Sequence, residues 1–391
     1  MKEILYHRYW LGHAETVEQY TVRSGGTILY SEETALTTSP VRYVDRKVES
    51  IPPLMLPSTT LNVCLIHNAA IIGSSNLFIS QTGELLYDLL IKTCSNKNYR
   101  LSDRVLKKHH AKPWRLANRF VVHYLNEGMK MDAAISLVCN FSSNYYHFIY
   151  EVIAKFYLLS KCQIPEDIPL VVDDRVKGVP QLMELLRLFA GNRRIEYLKS
   201  RCKCQVKNLY CISAVNQIIP NYFDINLVKT EDNLFCFEAI RYVRQHFLDY
   251  AQRGKSYPKR FYIARKNTNN RSYNEQELTQ VASEYGFEIV SPEMYSVAEQ
   301  FALFASAESI IGASGAALSN VVCCKPNCKV LVLFSHNIHL TVFSGIAGCL
   351  DIDMRYLIGE CEDSLSLQTS YTIDAERFRR SITDWLLKEL N

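Results

Sequence analysis

The sequence predicts an α/β protein with two domains built on parallel sheets. Three observations lead to this prediction. The length of 391 residues fits two ordinary domains, or one large one. Strand-like and helix-like segments alternate along residues 260–334, which is typical of a parallel sheet. A basic segment containing Gly and Pro, "RGKSYPKR", precedes this region and is the best candidate for a linker between domains.

The first part of the chain predicts a β-rich beginning and then mixed elements. Residues 1–130 contain short strand-like pieces such as "GTILY" and "NLFIS" between turns. Residues 144–161 predict a helix, and residues 231–252 predict a longer one. Three further segments lie between these two helices: a buried parallel strand "PLVVDD", a helix "GVPQLMELLRLFAG" and a strand "NLYCIS".

The second part alternates more regularly. The predicted strands are "RFYIAR", "FEIV", "SIIG" and "KVLVLF", and the predicted helices are "NEQELTQVASEYG", "SVAEQFALFASA" and "GAALSNVVCC". Asn274 stands at an N-cap position with Glu277 at the capping-box position. We therefore expect domains at 1–252 and 253–373. We also expect residues 374–391 to form an amphipathic terminal helix. Its apolar side, which we expect to pack on the fold, consists of Phe378, Ile382, Trp385 and Leu386.

The composition is that of a packed globular protein with free thiols, and it does not indicate a nucleic-acid-binding protein. Hydrophobic residues make up 48% of the chain and charged residues 21%, which indicates a packed globular protein. The net charge of +4 is too balanced to indicate nucleic-acid binding. The 13 Cys include no CxxC pair, so we expect free thiols in a reducing compartment.

The same reading of composition predicts where the protein resides. The N-terminus lacks an apolar signal-peptide region, and no stretch has the character of a membrane-spanning helix. We expect a cytoplasmic protein, with peripheral contact at the inner membrane through the basic tail as an open alternative.

The stretch "SIIGASGAALSN" predicts a strand, a small-residue turn and the start of a helix. Gly312 and Gly315 would allow unusual backbone angles, and the first amides of a helix bind phosphate. The spacing is not that of a dinucleotide-binding fingerprint, and no P-loop lysine follows. From the residues alone, tight packing of strand against helix explains the small side chains equally well.

Two arginines lie at the end of the strand "RFYIAR" and in the loop after it. Arg265 stands at the carboxyl end of the strand, and Arg271 lies in the loop before the next helix, with Lys266 between them. Guanidinium groups suit phosphate oxygens because they donate two parallel hydrogen bonds. A solvated basic loop is the alternative interpretation.

The helix at residues 144–161 carries a candidate general base. His147, Glu151 and Lys155 are spaced by four residues, which places them on one helical face. An imidazole can act as a base near neutral pH, and a neighbouring carboxylate can orient it. A polar stripe with a Glu151–Lys155 ion pair is the alternative. Weaker signals for metal binding are His336 with His339 and Asp173 with Asp174.

Taken together, three segments resemble the family 61 glycosyltransferases. They are "NYYHFIYEVIAKFYLL", the block beginning "FYIARKNTNNRSYNE", and "GASGAALSN" followed by a strand. Their order and spacing agree with the family pattern of Asn-aromatic-His-aromatic…Glu, then Arg-Lys…Arg…Asn-Glu, then Gly-x-x-Gly-Ala-x-Leu-(Ser/Thr)-Asn. The resemblance covers about residues 140–390. Within the family, it is to the type that takes part in capsular polysaccharide biosynthesis.

The resemblance implies a GT-B-like arrangement, in which two Rossmann-like domains face a cleft, and an inverting, metal-independent transfer. It implies no cofactor. The sugar donor would be a nucleotide-diphosphate sugar, a UDP-sugar first among them, and the acceptor a glycan or lipid-linked glycan hydroxyl in surface polysaccharide synthesis. His147 would be the catalytic base with Glu151. The implied donor-binding residues are Arg265, Arg271, Asn274, Glu275, Gly312, Ser314, Gly315, Ala316 and Asn320.

Two positions depart from the family pattern. Ser314 replaces a common His, and the strand Leu331–Phe334 lacks a common Glu. A catalytically degenerate transferase that binds nucleotide or glycan is therefore the alternative function. A nucleotide-dependent oxidoreductase is a third reading, which the absence of GxGxxG opposes.

Overall fold

A computed structural model describes the fold of residues 7–11, 14–45, 53–55, 58–87, 111–114, 119–218, 230–265, 271–335, 341–361 and 369–387. The chain divides into two compact units. The N-terminal unit comprises Met1–Ala35 and Pro57–Gln217, and the C-terminal unit comprises Leu36–Leu56 and Ile218–Asn391. Among the described residues, no helix is long and apolar enough to cross a membrane.

Twenty-one strands are described. They are β1 His7–Leu11, β2 Ala14–Thr16, β3 Thr27–Thr34, β4 Leu36–Thr38, β5 Leu54–Met55, β6 Thr59–Ile72, β7 Leu77–Ile79, β8 Leu85–Tyr87, β9 Ala111–Trp114, β10 Arg119–Ser136, β11 Leu170–Asp173, β12 Ile195–Leu198, β13 Cys202–Ile212, β14 Phe235–Cys236, β15 Arg260–Ile263, β16 Glu288–Val290, β17 Ser309–Ala313, β18 Lys329–Phe334, β19 Asp353–Ile358, β20 Glu360–Cys361 and β21 Tyr371–Thr372.

Nine α-helices accompany the strands in the described ranges. They are α1 Val17–Ser24, α2 Tyr145–His147, α3 Phe156–Leu159, α4 Pro180–Ala190, α5 Phe237–Tyr250, α6 Glu275–Glu284, α7 Val297–Ser306, α8 Val342–Cys349 and α9 Ala375–Ser381. Irregular helices also occur, as 3-10 helices at Ile153–Lys155, Asp174–Gly178, Thr230–Asp232, Pro292–Met294 and Ala316–Cys323 and as π-helices at Phe148–Val152 and Ile382–Leu386. The α/β class predicted from the sequence is thereby confirmed.

The N-terminal unit is built on one large mixed sheet, with the strand order β12-β11-β10-β13-β6-β7-β8-β2. The strands β10 to β13 pair in parallel, whereas β13 pairs with β6 in antiparallel fashion. This sheet differs from the parallel sheet that the sequence predicts, because the β-rich first part of the chain adds antiparallel hairpins to the parallel strands.

The C-terminal unit contains a five-stranded parallel sheet in the order β16-β15-β17-β18-β19. Its strands β17 and β18 are buried throughout, as expected for a parallel sheet covered on both faces by helices, whereas the edge strand β16 has two exposed residues. The chain-order pattern 2-1-3-4-5 is that of a doubly wound sheet. Such sheets bind ligands where the strand order reverses, at the carboxyl ends of the strands.

The C-terminal unit begins before the basic segment that was expected to separate the domains. Helix α5 belongs to this unit, because Phe247 stacks on Phe301 of α7 with ring centroids 4.1 Å apart. The helix is also shorter than predicted and starts at Phe237. The residues before it form a 3-10 turn and strand β14, which pairs with β4.

The C-terminal tail adds its apolar side to the core of this unit. Phe378, Ile382, Trp385 and Leu386 are all buried there, which is the side that the sequence pattern assigns to packing. Helix α9 is followed by a π-turn rather than by a continuous α-helix.

Candidate functional site

The strand order of the C-terminal sheet reverses between β15 and β17. Arg265 lies just beyond the carboxyl end of β15, and Ser314 and Gly315 lie just beyond that of β17. Arg271 joins the two turns, because its Nη1 atom donates to the backbone oxygen of Ser314 at 3.4 Å. The structure thus brings together the basic loop and the small-residue turn, at the place where a doubly wound sheet binds ligands.

A cavity of about 640 Å³ opens beside this loop. Its lining is polar and comes from the end of β15 and the first turns of α6, namely Arg265, Arg271, Ser272, Tyr273, Asn274, Glu275, Gln276, Glu277 and Gln280. This volume is within the range of small-molecule sites. Lys266, the third cation expected here, lies outside the described residues.

The two arginines keep unused hydrogen-bond donors. Within the described chain, Nη1 of Arg265 and Nε of Arg271 are buried and have no partner. Burial lowers the pKa of the Arg271 guanidinium below its ordinary value, and the neighbouring charge of Arg265 lowers it further. Two guanidiniums that repel each other, each with one unpaired N–H group, would be stabilised by an anion that contacts both.

The carboxylates of the cavity are engaged by other groups. Glu275 Oε1 accepts from the backbone N–H of Arg265 at 2.6 Å and from the Tyr273 hydroxyl at 2.8 Å. Glu277 Oε2 accepts from Asn274 Nδ2 at 2.6 Å. Glu275 therefore fixes the backbone beside Arg265. These contacts favour a structural role for Glu275 in the site rather than direct contact with a sugar donor.

Asn274 precedes α6 as predicted, but it does not cap the helix with its side chain. Its ψ of 51° is not the extended backbone of an ordinary N-cap residue. The amide instead hydrogen-bonds both backbone groups of Ile373. The expected capping box with Glu277 is therefore wrong, because the side chain of Asn274 is directed to another segment.

The glycines of the turn do not have unusual backbone angles, which corrects the expectation from sequence. Gly315 is extended, with φ −175° and ψ 170°, and a Cβ there would meet no atom closer than 3.7 Å. Gly312 has no positive φ either, but a Cβ on it would lie 3.2 Å from the Ile263 side chain. The close approach of the Ile263 side chain thus explains why a glycine stands at position 312. At Gly315 no neighbouring atom requires a glycine, and there is free space beside the backbone of the turn.

The rest of the small-residue block divides into a surface part and a buried part. Ala316 is exposed at the start of the 3-10 helix, next to Ser314. Asn320 is completely buried and donates to Gln300 Oε1 of α7 at 3.0 Å. Asn320 therefore attaches the 3-10 helix to its neighbour and lies away from the solvent-exposed edge. The next strand, β18, is buried throughout and presents no carboxylate.

His147 and Glu151 form a hydrogen-bonded pair in the N-terminal unit, between His147 Nδ1 and Glu151 Oε2. Asn144 starts the helix by accepting from the backbone N–H groups of Tyr146 at 3.0 Å and His147 at 3.3 Å. The imidazole is 8% exposed and lies against the ring of Phe141, with centroids 4.8 Å apart. While Glu151 is ionised its carboxylate can only accept, so Nδ1 is the donor in this pair, and in the neutral imidazole of that tautomer Nε2 keeps the lone pair that a base needs.

A π-turn at Phe148–Val152 changes the helix from the regular pattern assumed from the sequence. A π-turn is wider than an α-turn, so the i, i+4, i+8 face is not continued to Lys155. Lys155 is buried, and in the described part of the chain Glu151 pairs with His147. The Glu151–Lys155 ion pair considered as the alternative is absent there.

Asn216 is a residue that the sequence reasoning missed. Its Nδ2 atom donates to the backbone oxygen of Tyr150 at 2.8 Å. Tyr150 lies in the π-turn that follows His147 and contains Glu151. No local motif marks Asn216, because it lies 66 residues away along the chain.

The aspartate after β11 has a structural environment. Asp173 is completely buried and accepts from the backbone N–H groups of Ser74 and Cys139, the latter at 3.0 Å. The described chain contains no group of three or more His, Cys, Asp or Glu placed to hold a metal ion. His336 and His339, the other weak metal signal, lie outside the described residues.

Comparison with known proteins identifies one family. The model of the family described as Glycosyltransferase 61 matches residues 145–331, a segment that begins two residues before His147 and includes both arginines and the small-residue turn. A comparison with curated proteins finds no significant match.

Proposed function

Because residues 145–331 belong to glycosyltransferase family 61, we propose that this protein transfers a sugar from a nucleoside diphosphate sugar to a hydroxyl group of a glycan or glycolipid. One observation carries the proposal. The cavity of about 640 Å³ is lined by two half-buried arginines, each with one buried N–H group that has no partner in the described chain, at the reversal point of a doubly wound sheet.

The proposed reaction is a single displacement with inversion at the anomeric carbon. The acceptor oxygen forms the new bond to this carbon while the bond from the carbon to the diphosphate breaks. His147 Nε2 takes the proton of the acceptor hydroxyl, and Glu151 stabilises the resulting imidazolium through Nδ1. The charge that develops on the diphosphate is stabilised by Arg265 and Arg271, together with the amides after Gly315.

The metal-independent character of the reaction is part of the same proposal. Two guanidiniums already supply the positive charge that a departing diphosphate needs. A GT-B-like arrangement would let the N-terminal unit supply the base and the C-terminal unit bind the sugar donor. The proposed role is in surface polysaccharide synthesis, which the resemblance suggests, and the proposed location is the cytoplasm, which the sequence composition suggests, with peripheral contact at the inner membrane as the alternative.

The test combines binding with product analysis. Thermal-shift measurements with UDP, GDP, CMP and NAD identify the nucleotide, because a ligand that binds the folded state raises Tm. Mass spectrometry with a panel of sugar nucleotides and glycan acceptors then detects transfer, in parallel reactions with and without EDTA. We expect stabilisation by UDP and a glycosylated product that EDTA does not abolish. Binding without transfer or hydrolysis for any donor would replace the proposal with a nucleotide-binding protein that lacks turnover.

A further inference from the structure

A short C-terminal segment lies along the loop that carries Arg271. This segment, Ser370–Ile373, is called the strap below. The backbone N–H of Tyr371 donates to the oxygen of Ser272 at 3.0 Å, and the hydroxyls of Ser272 and Ser370 are 2.6 Å apart. The strap thus contacts the first residue after Arg271, although it comes almost 100 residues later in the chain.

Asn274 makes the side-chain connection between the loop and the strap. Its Oδ1 accepts from the backbone N–H of Ile373 at 3.0 Å, and its Nδ2 donates to the backbone oxygen of Ile373 at 2.9 Å. One amide side chain therefore satisfies both backbone groups of a single residue. Asn can do this because it carries a donor and an acceptor side by side, whereas Asp or Ser lacks one of the two in this geometry.

The loop needs such support because its arginine has an unfavourable backbone. Arg271 has φ 58°, a left-handed conformation that a residue with a Cβ rarely adopts. A backbone of this kind persists only where the surroundings hold it. The contacts of Ser272 and Asn274 with the strap fix the residues that directly follow Arg271.

The strap also contributes an aromatic ring that packs on the loop. Tyr371 stacks on Tyr273, with ring centroids 5.3 Å apart and planes inclined by 11°. Burial raises the pKa of Tyr371, while the charges of Arg265 and Arg271 act in the opposite direction. The phenol ring therefore lies within electrostatic reach of both guanidiniums.

We propose that Asn274 is a positioning residue, which connects the strap to the Arg271 loop and so preorganises the two-arginine cavity for an anion. The proposal rests on the function proposed above, because the cavity must bind the diphosphate. It assigns to Asn274 an indirect role through Arg271, in place of the direct contact with the sugar donor that the family pattern suggests. Preorganisation lowers the cost of ordering the loop when the anion binds.

The experiment measures order and binding separately in the full-length protein. Asn274→Ala removes both hydrogen bonds to Ile373, and Asn274→Gln keeps the amide on a side chain one methylene longer. Ser283→Ala is the matched control, because it removes a side-chain hydrogen bond of α6 at a residue that does not line the cavity. Hydrogen exchange reports on peptides covering 271–275 and 369–373, and titration calorimetry with inorganic pyrophosphate and with UDP reports on the cavity.

We expect Asn274→Ala to accelerate exchange in both peptides and to weaken pyrophosphate binding about tenfold. Asn274→Gln should retain more affinity than Asn274→Ala, and Ser283→Ala should change neither measurement. Accelerated exchange with unchanged pyrophosphate affinity would show a purely structural role and overturn the inference. So would unchanged exchange, or equal losses of affinity in the Ala and Gln variants.

Failure of the proposed function gives a different result. If the unmodified protein binds neither pyrophosphate nor UDP, the two-arginine cavity is not a diphosphate site, and the inference falls with it. The exchange measurement still shows in that case whether Asn274 connects the strap to the loop.

Discussion

Arg271 donates from Nη1 to the backbone oxygen of Ser314 at 3.4 Å, and this contact links two loops that follow neighbouring strands. The rest of the guanidinium is less well satisfied, since Nε has no partner among the described residues. A buried N–H group without a partner costs stability, so Arg271 has the character of a functional rather than a stabilising residue.

Arg271→Met should separate binding from stability. The variant removes a half-buried charge whose Nε has no partner in the described chain, so we expect Tm to stay the same or rise. UDP affinity should fall by about tenfold to hundredfold, because a hydrogen bond to a charged group contributes roughly 1.5–3 kcal/mol. Arg380→Ala, which removes an exposed arginine of the same unit, is the control for net charge. Unchanged UDP affinity in Arg271→Met would remove the arginine from the donor site.

His147→Ala should lower kcat by about 100-fold or more, because a positioned general base contributes at least this much. The KM for the sugar donor should change little, since the base acts on the acceptor hydroxyl. Glu151→Gln should lower kcat by a smaller factor, because it removes only the charge that stabilises the imidazolium. Lys155→Met, at another buried polar position of the same helical segment, is the control. Initial-rate measurements give kcat for each variant, and near-normal turnover in His147→Ala would contradict the role of His147 as the general base.

The two glycines of the turn should respond differently to Ala. A Cβ on Gly312 would lie 3.2 Å from Ile263, so Gly312→Ala should destabilise the protein by about 1–3 kcal/mol through overpacking. Gly315→Ala has room and an extended backbone, so its free energy of unfolding should be close to that of the unmodified protein. Urea unfolding measures both. Equal destabilisation would show that Gly315 also has a packing role.

Asp173 should make stability depend on pH. Burial raises the pKa of its carboxyl above the ordinary 3.8, against the opposing effects of hydrogen bonds and of the Arg175 charge. A carboxyl with a raised pKa in the folded state stabilises the fold fully below the unfolded pKa. This contribution is lost as pH rises through the folded pKa, because the folded state holds the proton longer.

Asp173→Asn tests this dependence. The variant should lose stability overall, by about 1–3 kcal/mol, because one oxygen must now serve both backbone N–H groups. Its free energy of unfolding should decline less steeply than that of the unmodified protein as pH rises from about 4. Urea unfolding at a series of pH values provides the comparison, and identical slopes would show that Asp173 does not titrate in this window.

The sequence predicted regular elements well where the pattern was local. The strand–helix alternation from Arg260 to Phe334 is present as expected, because buried strands and amphipathic helices each have a characteristic spacing of apolar residues. Spacing by four residues placed His147, Glu151 and Lys155 on one helical face but left two pairs open, and the structure contains the His147–Glu151 pair. The antiparallel pairing of β6 with β13 was not predicted, because these two strands lie far apart in the sequence.

What the sequence by itself determined is the α/β class, the residues with suitable chemistry and the resemblance to a glycosyltransferase family. These depend on residue type and short-range spacing, which the chain carries locally. Only the tertiary structure decided what each residue contacts. In the folded chain the Asn274 amide hydrogen-bonds Ile373, and Asn320 is completely buried. Arg265 and Arg271 line one cavity, and each has an unpaired N–H group. Such contacts join segments up to 99 residues apart, and the packing of the whole unit fixes them.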